Sequence, residues 1–86
     1  MPHRPASTGI WIASRSLAVG DRVKVVVEIS SISEMPVVLH AAARGYIIEV
    51  DSEGDIQIFF PFFGRAHCEQ WIEGADSSSL AVLRPG

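Results

Sequence analysis

The sequence predicts an all-β domain, a small closed or half-closed barrel of five short strands with one long first loop. Three observations carry that expectation. From Leu17 onward apolar and polar residues alternate at period two, the spacing of a half-buried strand. The alternating runs are short and are interrupted by Gly, Asp, Ser and Pro, the residues of tight turns. Where the pattern is clearest it is dense in Val and Ile, whose branched side chains disfavour helix. With 86 residues, 48% hydrophobic and 20% charged, the chain makes one folding domain and leaves no room for a second.

Residues 1–16 read as a flexible or loosely packed amino-terminal tail or an added strand, and residues 17–84 as the barrel domain. Pro2 and Pro5 favour an extended start, and no apolar period develops before Leu17. Within this segment Trp11, flanked by Ile10 and Ile12, is the residue expected to pack on something. Gly20-Asp21 then opens the first barrel strand, in which Val23, Val25, Val27 and Ile29 alternate with Lys24 and Glu28. Residues 30–43 form the long connection. Pro36 keeps a central strand out of it, Val37, Val38 or Leu39 is expected to tuck inward, and Leu39–Arg44 can make one helical turn.

Tyr46, Ile48 and Val50 alternate with Ile47, Glu49 and Asp51. After Ser52-Glu53-Gly54-Asp55, Ile56, Ile58 and Phe60 answer them, which predicts a hairpin with Ile48 and Ile58 in the core. Cys68 to Ile72 can form the fourth strand, with Gln70 and Trp71 on opposite faces and Trp71 expected inside. Asp76–Ser79 suits a short turn, and Leu80–Leu83 closes the domain before Pro85.

The string Gly20-Asp21-Arg22-Val23, a long loop, Gly45-Tyr46-Ile47-Ile48-Glu49-Val50-Asp51, Gly54-Asp55-Ile56-Gln57-Ile58-Phe59, Trp71 and Leu80-Ala81-Val82 resembles the SH3-like barrels over residues 17–83. That resemblance implies a five-stranded barrel with a turn of 3-10 helix before the last strand. The loop Ser30–Ala43 has no tyrosine and departs from the Ala-Leu-Tyr-Asp-Tyr-like segment of signalling members, so proline-peptide recognition is not implied. The pattern is also similar to ribosomal and transcription-factor barrels. It looks equally like the small barrel subunits of photosynthetic electron-transfer assemblies, such as the photosystem I stromal subunit and the ferredoxin–thioredoxin reductase variable chain. These last are non-catalytic partners docked on a larger body.

Composition narrows the function classes. The net charge is −3, and all ten acids lie between Asp21 and Asp76. A duplex-binding surface needs clustered Lys and Arg to neutralise phosphates, which makes nucleic acid the disfavoured partner. Arg22, Lys24, Arg44 and Arg65 are the residues such a surface would use. The single cysteine, Cys68, excludes a disulfide within the chain and a cysteine-cage zinc site. No apolar run approaches the roughly 18–20 residues of a membrane-spanning helix. The apolar run at Gly9–Ala13 is too short for a secretory signal, so an intracellular location, cytoplasmic or organellar, is expected.

Catalysis has little support. Gly-x-Gly, Gly-x-Ser-x-Gly and His-Glu-x-x-His are absent. The acidic run from Asp51 to Asp55 fails as a calcium loop, because Ile56 and Phe62 stand where glycine and a carboxylate are required. His67 and Cys68 are neighbours on a strand, where adjacent side chains diverge, and Glu69 has the wrong sign to activate a thiol. No catalytic residue, metal or cofactor is therefore expected. The aromatic cluster carries the functional expectation. Phe59, Phe60, Phe62, Phe63 and Trp71 crowd one loop, and one face of a small barrel cannot bury them all. Tyr46, Phe59, Phe62, Phe63 and Trp71 are the candidate partner-binding residues of a non-catalytic protein-interaction module or accessory subunit. The alternative is a nucleic-acid-binding barrel.

Overall fold

The computed structural model describes residues 9–13, 16–61, 63–64 and 67–85. It is all-β apart from one 3-10 helix. Among the described residues eight strands form in chain order: β1 Gly9–Ala13, β2 Arg22–Val25, β3 Ile29–Ser30, β4 Val38–Leu39, β5 Arg44–Val50, β6 Ile56–Phe59, β7 Glu69–Ile72 and β8 Leu80–Pro85. Six make one antiparallel sheet in the order β1-β8-β2-β5-β6-β7, and β3 with β4 makes a two-stranded ribbon inside the long loop. The sheet is not a closed barrel among the described residues, for β1 and β7 are its two edges. Residues 9–13, part of the segment read as a tail or added strand, form β1 and pair with β8 from Gly9–Pro85 to Ala13–Ala81.

The core follows from alternation. Val23 and Val25 of β2, Ile56 and Ile58 of β6, Ile72 of β7, and Leu80 and Val82 of β8 face one another and are buried. Ile29 and Leu39 from the ribbon and Phe60 after β6 close over them. At a hydrophobic gain of about 25 cal/mol per Å² of apolar area, such side chains carry most of the folding free energy. The first barrel strand is shorter than expected. Val26 donates its N–H to the Ser79 carbonyl at 2.8 Å, the chain turns away, and Val27 is exposed, so Ile29 belongs to the ribbon instead. Leu39 is buried and Val37 half-buried, whereas Val38 stays exposed. No helical turn forms over Leu39–Arg44. Ala42 stands at φ 78°, and its N–H donates to the Val25 carbonyl, which returns the chain to β5.

The hairpin forms where expected, but the inward face of its first strand is the other one. Ile47 is fully buried and pairs with Ile58, while Tyr46 is 41% exposed and Ile48 only half-buried. The register shifts between Ile47 and Glu49. Ile48 is the extra residue of this bulge, which simple alternation cannot show. At the tip Asp51 Oδ1 accepts the N–H groups of Glu53 and Asp55, both at 2.9 Å, and Gly54 adopts φ 87°. Asp55 Oδ1 accepts the Gly74 N–H at 3.0 Å, which fixes the tip to the 3-10 helix Gly74–Ser79. That helix precedes β8, as expected.

Pairing of Ile58 with Gln70 and of Ile56 with Ile72 sets the faces of β7. Gln70 therefore enters the core, 1% exposed, and donates through Nε2 to the His67 carbonyl at 2.8 Å. Trp71 turns to the outer face, against the expectation that it lies inside. The long loop caps this edge. Ile32 N–H donates to the Trp71 carbonyl at 2.8 Å, and Trp71 N–H donates to Ser33 Oγ at 2.9 Å.

Candidate binding face

Side chains opposite one another in an antiparallel pair share a face. The outer face, away from the core, therefore reads directly from the register. Lys24 stands opposite Arg44, Arg22 opposite Tyr46, and Tyr46 opposite Phe59. Strands β2, β5 and β6 thus place three cations and two aromatic rings side by side. The Tyr46 and Phe59 rings lie 5.3 Å apart between centroids, tilted by 36°.

Trp11 completes this group from β1. It stands opposite Leu83, on the outer side of β8. Ala81 is opposite both Ala13 and Lys24, and its small side chain lets the indole lean across β8 towards β2. Lys24 Nζ lies 5.0 Å and the Arg44 guanidinium carbon 5.5 Å from the Trp11 ring centroid. Two cation–π contacts at a partly exposed site are worth about 0.5–1 kcal/mol each. They hold the long cationic side chains over the sheet and leave their N–H donors available.

Between these residues is a cleft of about 340 Å³, lined by Trp11, Arg22, Arg44, Tyr46, Pro61 and Leu83, with Gly9 and Gly45 in its floor. Gly45 is required there for a packing reason: an added Cβ would meet the Phe59 carbonyl oxygen. Among the described residues no carboxylate lies within ion-pair distance of Arg22, Lys24 or Arg44. The nearest acid in sequence, Asp21, is held by Arg84 at 3.1 Å and accepts the Ala18 N–H at 2.9 Å. The Asp51–Asp55 tip is at the far end of β5, on the order of 20 Å from Arg44 at about 3.3 Å per residue. Asp51, Glu53 and Asp55 have oxygens within 4.8 Å of one another there, and the turn already uses Asp51 and Asp55 as backbone acceptors.

Of the candidate partner-binding residues, the structure brings Tyr46 and Phe59 together on this face. Trp71 shares the outer face but stands opposite Gln57, away from the Tyr46–Phe59 pair. Phe63 is half-buried. Its ring stacks on buried Phe60 at 4.8 Å and packs against the core. Phe62 and Arg65 lie outside the described residues. His67 and Cys68 are half-buried beside β7, and His67 Nδ1 has no hydrogen-bond partner among the described residues. Sequence reasoning missed Trp11 as a site residue and separated the aromatics from the cations. The signal was the period of two: Arg22 and Lys24, like Arg44 and Tyr46, share a face within their strand.

The chain matches no protein-family model, no curated protein and no solved structure. Among the described residues no helix is long and apolar enough to cross a membrane.

Proposed function

We propose that this protein is a non-catalytic docking module of SH3-like build that holds an acidic, extended segment of a protein partner on its outer sheet face. The observation that carries the reading is the pair Arg22 and Arg44 lining the cleft between Trp11 and Tyr46, with Lys24 beside them over Trp11 and, among the described residues, no carboxylate in ion-pair reach of any of the three. The strand order β8-β2-β5-β6-β7, with a long loop after β2 and a 3-10 helix before β8, supports the SH3-like lineage.

Aromatic rings and arginines are the side chains that most often anchor protein interfaces, since they combine large apolar area with directed donors. The cleft has the volume of a few side chains, which suits a short segment with one apolar residue beside carboxylates. A single-stranded nucleic acid would want a continuous positive track. Here Glu69 stands opposite Phe59 and Glu49 opposite Gln57, so the positive area stops at β5. The acidic hairpin tip by itself suggests a basic partner, but the cleft reverses that sign.

Titrating isotope-labelled protein with an acidic peptide containing one aromatic residue, beside a single-stranded oligonucleotide of equal charge, tests the proposal. Amide shifts should move along β2, β5 and β1 with the peptide. Arg22→Ala and Arg44→Ala should each weaken binding about tenfold, the ~1.4 kcal/mol of one charge-assisted hydrogen bond. Saturable binding of the oligonucleotide alone, falling steeply with salt, would give the face to nucleic acid instead.

A further inference from the structure

We infer that the β1 edge is a pairing surface for a second copy of this chain, so that two sheets join antiparallel about a two-fold axis through Trp11. The inference does not depend on what the outer face binds. It begins with the two edges of the sheet. The β7 edge is occupied by the long loop, through Ile32 and Ser33. The β1 edge has no neighbour among the described residues, so alternate N–H and C=O groups of Gly9–Ala13 point away from β8.

Soluble proteins commonly blunt such an edge with a charge, a proline or a bulge. Gly9–Ala13 has none of the first two, and its pairing with β8 runs through five consecutive residues without a register shift. Ile10 is 55% and Ile12 38% exposed, although each is opposite a residue of β8.

Occupancy by a second copy follows from the order of these residues. A two-fold contact requires each patch to complement itself. An antiparallel pair centred on Trp11 places Gly9 opposite Ala13, Ile10 opposite Ile12 and Trp11 opposite Trp11 of the second copy. Four isoleucines then meet on the face that carries Val82, while on the outer face each Trp11 indole leans back over its own β8 and leaves the backbones free to approach. Every pair is apolar, and no like charges oppose. The two clefts, each with Trp11 in its wall, are brought side by side, so one dimer presents two docking sites on a continuous sheet face.

Sedimentation equilibrium of the full chain over a wide concentration range, without ligand, tests this. The wild type should pass from one-chain to two-chain mass. The double variants I10K/I12K and I10E/I12E each place like charges opposite one another and should remain monomeric, with circular dichroism confirming the fold. An equimolar mixture of the two should recover the two-chain mass, because the proposed register pairs position 10 with position 12. A measurement without substitutions accompanies it: β1 amides of the wild type should exchange more slowly in concentrated than in dilute solution. A wild type that stays monomeric at every concentration overturns the proposal, and equal amide protection at all concentrations would show the edge covered within one chain. A dimer that both charged variants retain also overturns it.

Discussion

Ile47 and Ile48 differ by one position and should differ severalfold in their weight on stability. Ile47 is fully buried opposite Ile58, so Ile47→Ala should cost about 3 kcal/mol, transfer and cavity terms together. Ile48, the bulge residue, should cost about 1 kcal/mol or less on the same change. Chemical denaturation of the two variants checks this, and equal midpoints would mean that the bulge is misplaced. Ile48 is legible in the sequence as a hairpin residue but not as the extra one, because alternation counts residues and a bulge breaks the count. Gln70 has a similar history. Its polar side chain reads as surface, yet its place opposite Ile58 sends it inward, where the His67 carbonyl accepts its amide. Asp51 is the third residue whose role is local: its carboxylate accepts two backbone N–H groups of the turn. Asp51→Ala should lower stability by about 1–2 kcal/mol, with the loss read from the thermal midpoint.

At the scale of elements, the loop after β6 concentrates the aromatic side chains. Five aromatics in and around this loop imply more apolar surface than one face can hold. The structure resolves part of the excess by stacking Phe63 on Phe60 over the core. Replacing Phe63 by Ser should therefore destabilise the fold by about 2 kcal/mol, whereas an exposed docking ring would leave the melting temperature unchanged. The hairpin and the 3-10 helix also act as one unit. Gly74 N–H donates to Asp55, and a Cβ on Gly74 would lie 2.7 Å from the Gly54 carbonyl oxygen. Gly74→Ala should force the tip and helix apart and cost about 1–3 kcal/mol, measured by urea denaturation. The hairpin and the turn before β8 were readable because each rests on neighbours in sequence, whereas the β3–β4 ribbon inside the long loop was not. The end of β2 after Val25 was not, since it depends on Val26 meeting the Ser79 carbonyl from the far end of the chain.

For the whole molecule, the distribution of charge is the property that sequence counts hide. A net charge of −3 describes a mildly acidic chain, and ten acids against seven basic residues leave no visible basic cluster. Folding separates them. Arg22 and Lys24 from β2 meet Arg44 from β5, and Trp11 reaches both strands across β8. The Asp51–Asp55 tip is carried to the other end of the sheet. These pairings are long-range, so only the same-face spacing within each strand was legible beforehand. Trp11 gives the most direct test of the claim that this face is the binding surface. In a Trp71→Phe chain Trp11 is the remaining tryptophan, and its fluorescence can be followed during titration with an acidic, aromatic-containing peptide. A saturable change is expected, largely abolished by Arg22→Ala with Arg44→Ala, while circular dichroism stays that of the folded chain. Peptide binding that leaves Trp11 fluorescence unaltered and survives loss of both arginines would place the binding surface elsewhere on the protein.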